Sequence, residues 1–300
     1  MRKKKKILVV GGTGFIGFHL AKQCIKKKFK VVSFSKNHPR KIRYLKKVKY
    51  LQGDISRKKD LDILNEPFDY VVNLGGYVDH KNKIKTFNSH LKGCKNLSNY
   101  FLKKKIKSFI QLGSSGEYGS IKSPQKETSQ GNPKSFYAKA KFLATSHLLN
   151  LYKNYKFPVT ILRLYQGYGS KQDINRFIPI VIEACLENKK FDCSNGNQLR
   201  DFVHVEDIVV AIIKSIDNKR AKGEIINIGS GKPKKIKNII NFLVNRLKGG
   251  KPLFGKIKLR KDEILKIYPD ISKANKILKW RPKINFTKGL INTIKHYKNN

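Results

Sequence analysis

Two residues four positions apart, Tyr137 and Lys141, have the types and the spacing that proton transfer requires. They fall in an amphipathic segment, 135–155, and residues four apart lie on one face of a helix. A free tyrosine has a pKa near 10, so a tyrosine that exchanges protons at neutral pH needs a cation beside it. Lys141 supplies that cation. Because any lysine-rich helix can contain this pair by chance, it gains meaning only beside other motifs.

A second cluster of reactive groups precedes this pair. Residues 113–119 read GSSGEYG and follow a predicted strand, 108–112. The hydroxyls of Ser114 and Ser115 are therefore expected at the carboxyl edge of a sheet, where parallel α/β folds bind their ligands.

The third motif is a glycine turn near the N-terminus. The apolar run 7–10 predicts a buried strand, and a segment with helical spacing, 18–25, follows the turn. Between them Gly11 permits a tight turn, Gly14 lets the backbone approach a pyrophosphate, and Gly17 allows close packing of helix on strand. The alternative is a glycine-rich turn without a ligand. The order strand, turn, helix instead favours a dinucleotide site.

These motifs must be positioned by the elements around them. Further strands are predicted at 30–35, 48–52, 70–74, 108–112 and 159–164, with long helices at 84–105 and 135–155. Strands alternating with helices predict an α/β fold, a doubly wound parallel sheet of the Rossmann type. Residues 1–165 are expected to form the cofactor domain, to which the chain returns at about 199–229. Residues 166–198 and 230–300 are expected to form a smaller C-terminal substrate lobe.

The residues after the second strand bear on the cofactor. Sites that prefer NAD place an acid about twenty residues beyond the glycines. Here Ser35, Lys36 and Arg40 occupy this region, which suits a 2′-phosphate and predicts NADP(H), with NAD(H) as the second choice. The alternative is that both cations belong to an ordinary lysine-rich surface. Asp54 either binds the adenine amine or caps the following helix.

Composition narrows the class of protein further. The formal net charge is +46, but the lysines are spread along the chain and outnumber the arginines about five to one. With no nucleic-acid motif, codon bias explains this better than specific nucleic-acid binding. Four scattered cysteines predict neither a metal site nor disulfides and fit a reducing cytoplasm. No apolar run is long enough for a membrane span, and the N-terminus does not have the pattern of a secretory signal.

Taken in order, the motifs resemble the extended short-chain dehydrogenase/reductases, the NAD(P)-dependent epimerase/dehydratase group that acts on nucleotide sugars. The resemblance covers nearly the whole sequence. It is carried by residues 11–17, 53–55, 73–76, 113–119, 163–169, 200–207, 227–231, 270–274 and 278–282, together with Tyr137 and Lys141.

The resemblance implies roles at the matching positions. Tyr137 would be the acid/base, Lys141 its partner, and Ser114 the hydroxyl that bonds the reacting sugar oxygen. The residues implied to bind the cofactor are Gly11, Gly14, Phe15, Ile16, Gly17, Ser35, Lys36, Arg40, Asp54, Ile55, Leu74, Gly75, Gly76, Asn88, Tyr137, Lys141 and Leu164. The residues implied to bind the nucleotide-diphosphate sugar are Tyr77, Ser114, Ser115, Gln166, Arg200 and Arg260.

The resemblance also separates the reactions within the group. Its 4,6-dehydratases carry Asp-Glu after the active-site hydroxyl, where this chain has Ser115 and Gly116, with Glu117 displaced by one. The GSSGEYG loop looks more like that of reductases of 4-keto-6-deoxy sugars, including synthases of CDP-linked dideoxyhexoses such as abequose, which serve surface polysaccharides. We therefore expect NADPH-dependent reduction of a C4 ketone. The alternatives are an epimerase with a tightly held cofactor and, more remotely, a non-enzymatic RNA- or membrane-associated protein. The group also suggests a homodimer through the two long helices.

Overall fold

The computed structural model describes residues 4–77, 82–259 and 263–299. Its centre is a seven-stranded parallel sheet of spatial order β3-β2-β1-β4-β5-β6-β11, so the chain begins in the middle and winds outward both ways. This arrangement confirms the predicted doubly wound Rossmann fold. The strands are β1 Lys6–Val10, β2 Lys30–Ser35, β3 Val48–Gln52, β4 Tyr70–Asn73, β5 Ser108–Ser114, β6 Val159–Leu164 and β11 Ile225–Ile228.

Two hydrophobic cores lie on opposite faces of the sheet. In β1, Ile7 and Val9 enter one core, whereas Leu8 and Val10 enter the other, because successive side chains of a strand point to opposite faces. A strand buried on both faces therefore reads as a continuous apolar run. The first core is covered by α1 Phe15–Lys26 and α6 Val205–Ile216, and the second by α3 Gly93–Leu102 and α4 Phe136–Tyr155.

The helix predicted over 84–105 is interrupted. It consists of α2 Lys83–Phe87, a π-helical turn Asn88–Lys92, and α3. A π turn shifts the register of the residues after it and is frequent at functional sites. Here it precedes Gly93, where an added Cβ would lie 2.5 Å from Ile55. Strand β5 runs two residues beyond its predicted end, and α1 begins three residues earlier than expected.

After β6 the elements become short, as the sequence predicts. They pack around a third core that includes Tyr168, Ile182, Ile240 and Leu290. Its strands are β7 Gln166–Tyr168, β8 Lys190–Asp192, β9 Leu199–Arg200, β10 Phe202–His204, β12 Lys234–Lys235, β13 Lys251–Leu253 and β14 Lys266–Ile267. The helices of this part are α5 Phe177–Leu186, α7 Ile236–Leu247, α8 Ser272–Leu278 and α9 Phe286–Lys298.

Candidate active site

The glycine turn joins β1 to α1 at the carboxyl edge of the sheet. Gly11 has a φ of +76°, which favours glycine, and a Cβ at Gly17 would lie 2.3 Å from the carbonyl oxygen of Gly11. Gly14 is the N-cap residue of α1 and makes no side-chain cap. Gly11 and Gly17 therefore cannot be replaced without strain, and the turn leaves the first backbone N–H groups of α1 to a ligand.

A cavity of about 820 Å³ begins at this turn. Its volume lies within the range of small-molecule sites. At the other end of the cavity lie Leu112, Leu164 and Gln166, at the ends of the neighbouring strands. Its walls include many of the predicted cofactor residues: Gly11, Gly14, Phe15, Ile16, Gly17, Ser35, Lys36, Asp54, Ile55, Leu74, Gly75, Gly76, Asn88 and Leu164. The predicted substrate residues Tyr77 and Gln166 also line it. These residues fit a dinucleotide.

The end of the cavity beside β2 and β3 carries charged groups. The ammonium of Lys36 lies 3.4 Å from the Asp54 carboxylate, although 76% of the lysine side chain is exposed. The other oxygen of Asp54 accepts a hydrogen bond from the backbone N–H of Ser56 at 2.8 Å. Ser35 is buried, and its hydroxyl accepts a long bond, 3.4 Å, from the N–H of Thr13 in the glycine turn. We call this region the adenosine end, after the predicted position of the cofactor's adenosine.

A contact that the sequence did not reveal crosses the adenosine end. The guanidinium of Arg43 is buried and donates to the Lys171 carbonyl at 3.0 Å and to the Asp173 carboxylate at 3.0 Å. Arg40 lies 3.2 Å from the same carboxylate, is 67% exposed in its side chain, and does not line the cavity. Asp173 does line it. The loop after β2 is thereby fastened to the loop after β7.

Tyr137 and Lys141 lie on α4, one turn apart, as predicted. Lys141 is buried and donates from Nζ to the carbonyl oxygen of Leu112 at 2.7 Å, so the ammonium lies against a residue of the cavity wall. Tyr137 is half-buried, and its ring meets His90 edge to face at a centroid distance of 5.0 Å.

His90 is a positioning group that sequence reasoning missed. It is buried, and its Nε2 lies 3.1 Å from the carbonyl oxygen of Tyr77. A Cβ at Gly76 would lie 2.2 Å from its ring, so the close approach depends on that glycine. The imidazole thus packs between the wall of the cavity and the ring of Tyr137.

Ser114 ends β5, directly before a 3₁₀ turn, Ser115–Tyr118. Its Oγ accepts a hydrogen bond from the N–H of Gly116 at 3.1 Å. A hydroxyl that accepts one bond in this way still has its own proton to donate. Ser114 is therefore able to donate to a carbonyl or alkoxide oxygen, as its predicted role requires.

The displaced acid Glu117 is fully buried and joins three elements of the site. One carboxylate oxygen accepts from the backbone N–H of Ser114 at 2.8 Å. The other accepts from Thr145 Oγ1 at 2.8 Å and from Arg163 Nε at 3.0 Å. Thr145 lies one turn beyond Lys141 on α4, and Arg163 lies on β6. One carboxylate therefore holds β5, α4 and β6 together, and we call Glu117, Arg163 and Thr145 the buried clamp.

Arg200 and Arg260 are the two arginines predicted to bind the nucleotide-diphosphate sugar. Arg200 pairs with the Glu263 carboxylate and donates to the Leu199 carbonyl at 2.9 Å. A phosphate at this point would have to compete with Glu263. Arg260 lies outside the described residues. Ser115 opens the 3₁₀ turn. None of Ser114, Ser115, Tyr137, Lys141 and Arg200 lines the cavity itself, and Lys141 reaches its wall only through the bond to Leu112.

Three further features of the described residues bear on function: the cysteines, the possible metal ligands and the length of the helices. All four cysteines are buried with free thiols, and burial raises the pKa of Cys24 and of Cys94 to about 12, so both stay protonated at neutral pH. Within residues 4–77, 82–259 and 263–299, no group of three His, Cys, Asp or Glu is placed to hold a metal ion. In the same ranges, every helix is too short or too polar to span a bilayer.

Comparison with known proteins now adds to this geometry. Residues 7–229 match the model of the NAD dependent epimerase/dehydratase family. The chain belongs to this family. The match runs from β1 through β11, so it includes the glycine turn, the serine loop, α4 and the carboxyl ends of the strands.

Individual relatives agree with the family but differ in reaction. The chain is 29% identical to a putative UDP-glucose 4-epimerase of Methanocaldococcus jannaschii, with 98% of this chain and 99% of that one covered. It is 32% identical to a dTDP-D-glucose 4,6-dehydratase of Dictyostelium discoideum, over 75% of this chain and 58% of the relative. Among solved structures, a UDP-glucuronic acid 4-epimerase of Bacillus cereus in complex with NAD matches with a TM-score of 0.90 and 25% identity, covering 98% of this chain and 99% of that one.

Proposed function

We propose that this enzyme transfers a hydride at C4 of a nucleotide-diphosphate sugar, with Tyr137 moving the accompanying proton. The observation that carries the proposal lies at the end of the cavity beside Leu112, Leu164 and Gln166, which we call the catalytic end. There Lys141, one helical turn beyond Tyr137 on α4, donates to the Leu112 carbonyl. The glycine turn and the adenosine end would hold a nicotinamide cofactor, and the chemistry that it would supply is the donation or acceptance of the hydride. Ser114 donates a hydrogen bond to the sugar oxygen, Tyr137 protonates or deprotonates that oxygen, and Lys141 places its ammonium group on the same face of α4, against the Leu112 carbonyl.

We further propose that the net reaction is reduction of a 4-keto-6-deoxy sugar by NADPH. Dehydration at C6 requires an acid/base pair beside the hydroxyl residue, and here Ser115 and Gly116 occupy those positions. Glu117 cannot replace that pair, since its two oxygens are engaged in the buried clamp. NADPH is supported by Lys36 and Ser35 at the adenosine end, where NAD sites place an acid.

A panel of nucleotide-linked 4-keto-6-deoxyhexoses tests the reaction directly. The purified enzyme is mixed with NADPH and each sugar, and absorbance of the reduced nicotinamide is followed. We expect one equivalent of NADPH to be oxidised per sugar, with a lower KM for NADPH than for NADH. Turnover of sugar without consumption of cofactor would contradict the reductase proposal.

Epimerisation at C4 is the second candidate, because the full-length relative and the structural neighbour described above are named 4-epimerases. The same three residues would serve an epimerase, which retains its cofactor through an oxidation and a reduction. The two candidates separate on cofactor content. Denatured enzyme that releases a stoichiometric dinucleotide, together with turnover in the absence of added NADPH, would favour the epimerase.

A further inference from the structure

The two edges of the parallel sheet carry very different charge. At the edge where the strands begin, the seven segments that lead into the strands contain nineteen lysines and arginines and four acids in 36 residues. We call these segments the amino edge: 4–6, 26–30, 46–49, 65–69, 103–107, 153–158 and 217–224. At the carboxyl edge, seven segments with a total of 34 residues contain four basic residues, and Lys41, Lys58 and Lys171 follow directly after three of them. These segments are 11–14, 35–40, 53–57, 74–77, 115–119, 165–170 and 229–232.

This asymmetry goes beyond a uniformly lysine-rich composition. A biased codon usage raises lysine everywhere on the surface, whereas here the lysines concentrate where the strands begin. Six of the seven amino-edge segments contain at least two basic residues; the exception, 65–69, contains Glu66 and Asp69.

The sheet order places these segments side by side. Neighbouring strands lie about 4.8 Å apart, so seven strands carry the amino edge across about 29 Å. Most of its lysines are exposed. Three of its four acids are paired with lysines of the same edge: Asp217 with Lys5, Glu66 with Lys6 and Lys49, and Asp69 with Lys107. The fourth, Glu224, pairs with Lys273 of α8. The remaining cations form a band of positive charge that is interrupted at β4, in the middle of the sheet.

The types of the basic residues in the band favour one class of anionic partner. Of its nineteen basic residues only Arg220 is an arginine, whereas specific contacts to phosphates and bases usually employ the planar guanidinium. Lysine ammonium groups instead act as point charges, which suit a diffuse anionic surface. Tyr155, 65% exposed, lies in this edge between Lys153 and Lys156, and tyrosine is favoured at membrane–water interfaces. We propose that the amino edge docks on a membrane surface rich in anionic lipid headgroups.

Docking in this orientation leaves catalysis undisturbed. The cavity opens at the carboxyl ends of the strands, on the opposite edge of the sheet from the band. A membrane-bound enzyme would therefore keep its cleft open to nucleotide-linked substrates in the aqueous phase. The proposal does not depend on which reaction the cleft catalyses.

Vesicle cosedimentation with the full chain tests the proposal. We expect binding to vesicles of mixed phosphatidylglycerol and phosphatidylcholine at about 0.15 M salt, weak binding to pure phosphatidylcholine, and release as salt rises. An amino-edge variant replaces Lys27, Lys46, Lys103 and Lys153 with glutamine. Its binding should weaken about tenfold or more, because each lysine near an anionic surface contributes substantially.

A matched control separates position from total charge. It replaces Lys248, Lys251, Lys256 and Lys258, exposed lysines of the C-terminal part, with glutamine, so both variants lose the same four charges. The control should bind vesicles nearly as the parent does, and both variants should keep the parent's kcat and KM. Equal weakening in the two variants would overturn the proposal. Tighter binding to a mixed-sequence RNA oligonucleotide than to anionic vesicles at the same salt would also overturn it.

Discussion

The catalytic end and the adenosine end of the cavity differ in how exposed their charged side chains are. At the catalytic end, the Glu117 and Arg163 side chains are 0% and 3% exposed. The Glu117 carboxylate also accepts hydrogen bonds from the backbone N–H of Ser114 and from Thr145 of α4. At the adenosine end, buried Arg43 joins the loops after β2 and β7, but the Lys36 and Arg40 side chains are 76% and 67% exposed. Removing one partner of a buried ion pair strongly destabilises the fold, because the other charge stays buried, whereas an exposed pair contributes little to stability. We therefore expect substitutions in the buried clamp to lower both stability and activity, and substitution of Lys36 to affect mainly the binding of the cofactor.

The largest effect is expected from Tyr137→Phe. Removing the phenolic hydroxyl removes the group that moves the proton, so kcat should fall about a hundredfold to ten-thousandfold. The dissociation constant of the cofactor should change little, because the ring and its contact with His90 remain. Steady-state kinetics together with cofactor titration measure both. Unchanged kcat would remove Tyr137 from the proposed mechanism.

Glu117→Gln tests the buried clamp. The variant leaves Arg163 charged and buried without its carboxylate, and the free energy of unfolding should fall by about 3–5 kcal/mol. Because Glu117 also holds the Ser114 N–H and Thr145, kcat should fall while cofactor affinity is kept. Denaturant unfolding and steady-state kinetics measure the two effects.

The matched control for the clamp is Asp69→Asn, which breaks the exposed pair with Lys107. It should cost less than about 1 kcal/mol, as exposed ion pairs usually do, and leave kcat unchanged. Thr145→Val removes one hydrogen bond of the clamp and leaves Glu117 paired with Arg163. The variant is therefore expected to fold, and its kcat reports on the positioning of the site. Full kcat in Thr145→Val and Glu117→Gln alike would show that the clamp does not position the site.

The elements that form the catalytic end could be predicted from the sequence because their signals are local. Strand, glycine turn and helix are contiguous, and the four-residue spacing of Tyr137 and Lys141 already places them on one helical face. The fold and the family follow from such signals, and both are confirmed. The clamp was missed because Glu117, Thr145 and Arg163 meet only once β5, α4 and β6 are packed.

The adenosine end was less accessible to sequence reasoning. Arg43 and Asp173 are separated by 130 residues and come together only when the loop after β7 returns to the loop after β2. The sequence suggested Arg40 as a cofactor ligand, yet the structure turns it to Asp173 and away from the cavity wall. Arg200 likewise meets Glu263, another distant residue. Long-range pairing of charges thus decides which cations remain available for phosphate.

Asp173→Asn sharpens the comparison at the adenosine end. Arg43 is buried but keeps its bond to the Lys171 carbonyl, so the loss of the carboxylate should cost about 1–3 kcal/mol of unfolding free energy, below the effect of Glu117→Gln. Arg40→Ala breaks only the exposed half of the same pair and should cost less than about 1 kcal/mol. Denaturant unfolding of both variants measures the contrast. Equal costs would mean that burial of Arg43 does not matter.

The smallest effect is expected from Lys36→Ala, and it bears on the choice of cofactor. A surface cation near a 2′-phosphate contributes a screened interaction, so KM for NADPH should rise about tenfold or less, while KM for NADH stays within about twofold. Lys49→Ala is the control, since Lys49 is exposed on the next strand and pairs with Glu66 rather than Asp54. The NADPH effect should shrink as salt rises. An equal change in KM for NADPH and NADH would mean that Lys36 acts on the dinucleotide through Asp54. The absence of an acid after β2 would then no longer argue for NADPH.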